Sequence, residues 1–514
     1  MTTFWIIAAF VVYAIVMIVI GIVYSKKTAN AEDYFLGGRG LSGAVGALSA
    51  QASDMSGWLL MGLPGAVYLA GTGEIWVAVG LFIGTLLNWL IISKRFRRYT
   101  IRVNNSITLP EYFKNRFHDK TNALLLVASI FTVIFFLVYT ASAFSSGAKL
   151  FNTVFGLDYH VALLIGTVLI LIYTFLGGFM AVCLTDFIQG MLMLIAILAI
   201  PIIILCMMQP GELTAQLTAS GVEGGIANYL NPFKSGEVDI SAVSIISGLA
   251  WGLGYCGMPH ILARFMAIRS EKELKKSKVI ANVWVFISLG MACLLAIVGR
   301  AYLFGDYGIL EDSENVFIIM IKQLFVNDLT IPFIGGLFLC AVLAAIMSTA
   351  DSQLLVTASS VSKDIYADVI KKGKASEDNI LKVSKITVVV VTIIAFFIAW
   401  DPNSSVMSLV SDAWAGFGAT FGPVVVLSLF WKRMTTPGAL AGMIAGGVTV
   451  IIWDYIPFAN GTLGDSTGLY SLIVGFVVSL IAIVIASKCS KAPSEEILRE
   501  FEDVKVNNIP GNEE

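Results

Sequence analysis

Gln51-Ala52-Ser53-Asp54-Met55-Ser56-Gly57-Trp58 lies inside an apolar run from about residue 41 to residue 70. It sets a carboxylate, two hydroxyls and a glycine into a stretch otherwise fit to cross a bilayer. Insertion scales put a charge at that depth at roughly 2.5–3.5 kcal/mol, so such a residue marks a functional site unless it lies near a helix end and is solvated. Both readings of Asp54 stand at this point, and the rest of the chain has to decide between them.

The surroundings of that stretch set the class. Of 514 residues, 57% are hydrophobic and 13% charged, against about 25% charged in soluble domains. This is the composition of an all-α polytopic membrane protein embedded in a lipid bilayer. A net charge of −2 points to no nucleic-acid partner. The six cysteines are scattered and include no C-x-x-C pair, so they read as buried small hydrophobes. No G-x-x-x-x-G-K-[ST] supplies a phosphate cradle. Gly252-Leu253-Gly254-Tyr255-Cys256-Gly257 matches G-x-G-x-x-G, but it lies within an apolar span and lacks the strand that a dinucleotide site requires. No enzyme chemistry and no cofactor are expected.

Thirteen apolar segments approach the ~20 residues that a spanning helix needs. They cover approximately 3–24, 41–70, 73–93, 122–150, 160–178, 183–208, 240–260, 279–303, 330–357, 386–400, 406–430, 437–456 and 468–487. The first has no basic residue before it, unlike a signal peptide, and is expected to be retained with its N-terminus outside. All but four of the 33 Lys and Arg residues then fall in seven polar stretches on the inner side, at 25–40, 94–121, 178–183, 260–278, 358–385, 431–437 and 488–514. That asymmetry follows the positive-inside rule and places the C-terminus in the cytoplasm. The four exceptions, Lys149, Lys234, Arg300 and Lys322, lie toward the outer side, and Lys149, Arg300 and Lys322 are expected to be solvated.

A second interruption recurs five spans after the first. Gly252, Gly254, Gly257 and Pro259 crowd two turns of the seventh span. Paired interruptions at corresponding positions point to the inverted repeat of a secondary transporter. An odd number of helices per half inverts one half against the other. The expected organisation is a first helix and internal loop (1–40), a first repeat (41–208), an external loop (209–239), a second repeat (240–430), two peripheral helices (431–487) and an acidic cytoplasmic tail (488–514). The tail reads as a solvated amphipathic helix followed by disorder.

Broken helices expose carbonyls that can ligate a hard cation and N-termini that can receive an anionic group. The ninth span adds hydroxyls at Ser348 and Thr349, although helical Ser and Thr often bond back to their own helix. Here the chain resembles the sodium:solute symporter family, and within it the bacterial branch that carries proline. The resemblance covers about residues 1–490. It rests on Gly177-Gly178 with Ala181-Val182, Thr185-Asp186 and Gln189; on Ser53-Asp54-Met55-Ser56-Gly57-Trp58; on Trp251-Gly252-Leu253-Gly254-Tyr255 with Pro259-His260; and on Met347-Ser348-Thr349. It implies a leucine-transporter-type 5+5 core with one helix before it and two after. It also implies a site for co-transported sodium from the carbonyls of Ala52, Met55 and Ala345 and the hydroxyls of Ser348 and Thr349, with Asp54 ordering that site. The implied proline pocket draws on Ser56, Gly57, Trp58, Tyr139, Trp251, Tyr255 and Pro259. The chemistry agrees, because a zwitterion with a small ring suits aromatic walls and free backbone N–H groups.

Trp251 and Tyr255 stand at i and i+4 and share a face where the chain is helical. Ser348, Asp351 and Ser352 share a helix face in the same way. With Asp186 they form either an exit station or second cation site, or a pair of unrelated features in which Asp186 caps a helix and Asp351 is hydrated. His118 and His160 read as loop residues, and His260 as a possible cap after the second break. Tyr34 to Arg39 reads as a loop that either belongs to an inner gate or only sets topology. Gly416, Gly418, Gly422 and Pro423 suit a bending helix or close packing. A symporter for another small solute, such as a different amino acid, pantothenate or a sugar, is the alternative substrate reading. A channel or solute sensor fits less well, since there is no continuous polar lining and no signalling domain. No obligate protein partner is implied.

Overall fold

The computed structural model describes residues 1–25, 31–176, 178–458 and 461–507. Gly177 of the quoted marker, Lys26 and Lys27, and the end of the tail from 508 lie outside the described residues. Among those described, ten helices are long and apolar enough to span a bilayer, or eleven if the bent pair Ala242–Gly257 and Pro259–Ala267 is one span. Their exposed residues include Phe4, Val11, Ile15 and Val19 on the first helix and Val477, Ile481 and Ile485 on the last. Such continuous apolar faces need lipid.

Burial sorts the helices. The most apolar window of Val406–Phe430 is 83% buried and that of Pro332–Ile370 is 78%, whereas Thr2–Val23 and Ser471–Cys489 reach 28%. The first two are central and the last two peripheral. Polar residues follow this order: Ser348, Thr349, Asp351, Ser352 and Gln353 are all fully buried on the central helix Pro332–Ser359. The segment expected at 386–400 is the helix Glu377–Ile398, longer at its N-terminal end because Ser376 caps it through the Asn379 amide.

Both expected breaks are present. Gly43–Asp54 stops at Met55, and helix resumes at Trp58. Ala242–Ala250 tightens into a 3-10 turn over Trp251–Gly257, Met258 is extended, and Pro259 opens Pro259–Ala267 at a 48° bend. The 45-residue run Trp58–Arg102 is no single span. At 1.5 Å per residue it would exceed twice the ~30 Å hydrocarbon thickness. It turns back at Gly71, whose φ of +82° suits glycine, and Gly71 packs on the Tyr229 carbonyl.

The described parts of the seven basic stretches gather at one end. Arg39 bonds the Met266 carbonyl at 2.8 Å, Gly37 lies against Met180, and Arg98 pairs with Glu271. Thr108 bonds Asp364, Thr436 bonds the Phe117 carbonyl, and Arg102 meets Asp503 of the tail. The tail is therefore docked: Glu495–Val506 buries Ile497, Phe501 and Val504. At the opposite end, the expectation that Lys149 and Arg300 are solvated fails. Lys149 is buried between Glu314 at 2.6 Å and Asp312 at 2.9 Å. Arg300, 5% exposed, bonds the Ser220 carbonyl and stacks over Tyr68. Lys322 reaches the Thr153 carbonyl.

Small residues set the approach of the second broken helix to its neighbour. A Cβ on Gly84 would meet the Gly252 oxygen at 2.3 Å and its Cα at 2.4 Å. Backbone lies against backbone there. Gly84→Ala is expected to cost about 1–3 kcal/mol through overpacking, whereas Gly290→Ala, with nothing within 4 Å, is not. Thermal unfolding of both variants in detergent checks this, and equal midpoints would refute the tight seam.

Candidate functional site

At the first break the helical bonding ends in a small knot. The Met55 amide donates to the Gln51 carbonyl, and the Ser56 amide turns back to the Asp54 carbonyl at 2.9 Å. Trp58 Nε1 reaches that same carbonyl at 3.2 Å, and the Tyr139 hydroxyl approaches it at 3.4 Å. Gly57 is required here: a Cβ would sit 2.4 Å from Ser146 Oγ. The Asp54 side chain then crosses to the second break, where its Oδ2 accepts from the Tyr255 hydroxyl at 2.7 Å. Asp54 is fully buried, so the solvated reading falls away. Its Oδ1 has no partner.

The second break faces an aromatic wall. Trp414 Nε1 donates to the Trp251 carbonyl at 2.7 Å, and the two indoles stack at 6.4 Å. Tyr470 stacks on Trp251 at 5.4 Å, and Tyr255 meets Trp414 edge-on at 5.0 Å. Trp251 and Tyr255 therefore converge through Trp414, on a 3-10 turn rather than by the α-helical i, i+4 register. Trp414 and Tyr470 are not legible as site residues, since each lies far along the chain from both breaks and is one aromatic residue among many. Asn88 donates to the Tyr255 carbonyl, and its Oδ1 is unpartnered. Pro259 starts the following helix and is buried. His260 caps nothing: neither ring nitrogen has a partner, and its ring packs on Phe136 and Tyr139.

On the other side of the first break, four of the five expected oxygen donors meet. Ser348 Oγ lies 2.8 Å from the Ala52 carbonyl and 3.2 Å from that of Ala345. Thr349 Oγ1 lies 3.5 Å and 3.1 Å from the same two carbonyls. Met55, the fifth residue, is fully buried at the point where the helix ends. The hydroxyls donate hydrogen bonds to these carbonyls, those to Ala345 within their own helix, so neutral oxygens from two elements converge.

Asp186, Ser352 and Asp351 also come together, around Arg264 of the basic stretch 260–278. Arg264 is 1% exposed and sends Nη2 to Asp186 at 3.0 Å and to Ser352 Oγ at 2.6 Å. Ser49 bonds the same Asp186 oxygen at 2.7 Å. Asp186 is no helix cap, because Gly178 holds the N-cap position and Asp186 is fully buried. Nor is Asp351 hydrated: it is fully buried, within electrostatic reach of Asp186 and Arg264, and neither oxygen accepts a well-formed hydrogen bond although Tyr173 lies close by. Proximity to the Lys272–Lys278 run disguised Arg264 as a topology residue.

At the opposite end Glu314 binds Lys149, Ser405 Oγ and the amides of Val406 and Met407, the start of the central helix Val406–Phe430. It borders a polar cavity of about 410 Å³ that reaches Gly62. His118, read as a loop residue, lies 3.0 Å from Glu500 of the tail.

Residues 34–446 match the sodium:solute symporter family. A sodium/proline symporter of Staphylococcus aureus is 40% identical over 496 residues, covering 96% of this chain and 94% of its own length. Its counterpart in strain JH9 is 41% identical over 497 residues, with the same coverage. Among solved structures, a sodium-coupled sialic acid symporter, substrate-bound and outward-open, superposes with a TM-score of 0.75 at 21% identity over 96% of this chain and 99% of its own. MhsT in complex with L-phenylalanine gives 0.54 at 13% identity, over 86% of this chain and 97% of that one.

The buried Asp186–Arg264 pair carries its own expectation. Removing one partner strands a charge and costs about 3–5 kcal/mol, whereas removing both costs less than the sum. Asp186→Asn, Arg264→Gln and the double variant, unfolded thermally at fixed sodium, test it. Strict additivity would mean that the two side chains do not interact.

Proposed function

The chain belongs to the sodium:solute symporter family, and on that footing we propose that it imports L-proline with sodium across the cytoplasmic membrane by alternating access. Membership makes it a multi-pass transporter rather than an enzyme. The sodium/proline relatives at 40% identity over nearly the whole length support proline as the solute. In this reading Ala52, Met55, Ala345, Ser348 and Thr349 hold sodium. Ser56, Gly57, Trp58, Tyr139, Trp251, Tyr255 and Pro259 hold proline, with Trp414 and Tyr470 behind Trp251.

One observation carries the reading. The oxygen cluster and the aromatic wall share the short segment Ala52–Trp58, and Asp54 ties that segment to Tyr255. An ion that fixes Ala52 and Met55 also fixes Ser56 to Trp58, so sodium and substrate order the same backbone. Asp54 then orders the site through its bond across the two breaks.

The two breaks support an inverted 5+5 core over 41–208 and 240–430, with 1–40 before it, the loop 209–239 between the halves, 431–487 as peripheral helices and 488–514 as tail. Counting the short apolar helix Tyr159–Leu176, and dividing Trp58–Arg102 at Gly71, brings eleven spans to thirteen. The single basic end supports an external N-terminus and a cytoplasmic C-terminus. Asp186, Asp351 and Ser352 serve as a second cation or exit station in which Arg264 already occupies part of the charge. Two carboxylates face one guanidinium there, which leaves room for one further positive charge.

Linkage requires proline to raise sodium affinity by the factor by which sodium raises proline affinity. Equilibrium proline binding with sodium, and with potassium at equal ionic strength, is expected to differ by about tenfold or more, a coupling of ~1.4 kcal/mol. Ser348→Ala and Thr349→Ala should raise the half-saturating sodium while proline binding at saturating sodium changes little. Sodium-independent proline binding in the unaltered protein would overturn the proposal.

Asp351→Asn addresses the second site. The proline-to-sodium flux ratio in proteoliposomes should change, or turnover should slow at an unchanged proline half-saturation. An altered folded yield with both quantities intact would make Asp351 structural.

A further inference from the structure

At the basic end, two arginines lack the partners that every other feature of that end would lead one to expect. Arg116 is fully buried, and Nη1 and Nη2 both lack a hydrogen-bond partner. Arg95 Nε and Nη2 are sealed and unpartnered too, as is the hydroxyl of fully buried Tyr99. Among the described residues no carboxylate lies within ion-pair distance of either arginine. Glu500 and Asp503 are taken by Arg102 and His118. Glu502 acts on Arg95 only at a distance and forms its own pair with Lys505. Arg98 belongs to Glu271.

What meets the two guanidiniums is aromatic. Phe501 of the tail helix lies 4.8 Å from Arg95 and 5.8 Å from Arg116. Tyr99 and Phe117 lie on Arg116 at 4.8 and 5.0 Å, and Phe430 on Arg95 at 5.0 Å. Ring faces offset only part of the cost of burying a guanidinium, and they leave its in-plane N–H groups unused. Five donor atoms with no acceptor, carried by two cations and a phenol, have the chemistry of a phosphate site, since guanidinium forks match phosphoryl oxygens. Arg116 Nε also holds the Ser428 carbonyl at 3.1 Å, near the C-terminal end of the central helix Val406–Phe430, so this cage is joined to the transport core.

The lid over the cage is weakly held. Glu495–Val506 docks through Ile497, Phe501 and Val504 and through rim ion pairs with Arg102 and His118. Partly exposed pairs of that kind contribute little. We propose that Arg95, Arg116 and Tyr99 form a binding site for a phosphate group, closed by Phe501, and that phosphate binding and docking of the C-terminal helix exclude one another. The phosphate comes from an anionic lipid headgroup or from free phosphate, since the basic end meets both.

The test uses the full-length protein in phosphatidylcholine nanodiscs. Three additions are compared: phosphatidylglycerol in the bilayer, inorganic phosphate in solution, and sodium chloride at matched ionic strength. Amide hydrogen exchange over 497–504 is the readout. Exchange about tenfold faster is expected with one or both phosphate sources and not with chloride. A response to phosphatidylglycerol alone assigns the headgroup, and a response to inorganic phosphate assigns the free anion. Unchanged exchange in all arms, or an equal response to chloride, overturns the proposal. Arg95→Gln with Arg116→Gln should abolish the response. Phe501→Ala keeps the arginines, guards against misfolding of that pair, and should release the helix without ligand and bind whichever phosphate source gave the response more tightly than the unaltered protein. Binding that is equal or weaker overturns the proposal as well.

Discussion

The hydrogen bond from the Tyr255 hydroxyl to the Asp54 carboxylate joins the two places where a membrane helix gives up its own backbone bonding. A buried carboxyl group is costly unless donors answer its oxygens or a proton neutralises it. Here one oxygen is answered from across the protein, and the other is left open. The arrangement fixes how far apart the breaks stand. It thereby places the Ala52 carbonyl against the hydroxyls of Ser348 and Thr349, and Trp58 and Tyr139 beside Tyr255. Unpartnered polar atoms crowd the same region: Gln51 Nε2, Thr85 Oγ1, Asn88 Oδ1 and both nitrogens of His260.

Much of this was legible in sequence because membrane burial makes polar residues expensive. Asp54 stood out for that reason, and so did the Gly252–Pro259 cluster, since glycine and proline together interrupt a helix in any solvent. The hydroxyls of Ser348 and Thr349 gain meaning only beside a break, and the break was visible. Other features were hidden by the same logic. Arg264 stands before a basic run, where counting charges assigns it to topology, yet it turns inward to Asp186. Lys149 and Glu314 are far apart in sequence, so nothing local announces that one buries the other. Trp414 and Tyr470 are aromatic residues among many, and only tertiary packing distinguishes them. Periodicity reports which residues are apolar; it does not report which distant residue supplies the missing partner.

The two ends of the protein are closed in different ways. At one, Glu314 gathers a lysine, a hydroxyl and two amides at the start of a single central helix, a compact and charge-dense knot. At the other, several loops and the tail share a broad layer of arginines and carboxylates. The first centres on one carboxylate, with Asp312 as a second partner for the lysine. The second spreads its stability over many weak contacts, so its parts can detach singly.

The contact of Gly80 and Gly84 with Gly252 has a mechanical meaning beyond closeness. Where side chains interlock, one helix can move past another only by changing rotamers, and each change is a step. Where Gly80 and Gly84 meet Gly252 there are no side chains to interlock, since the Gly80 oxygen faces Gly252 and the Gly252 oxygen faces Gly84. At that one point the second broken helix meets a smooth bearing in place of the interlocked side chains of ordinary helix packing.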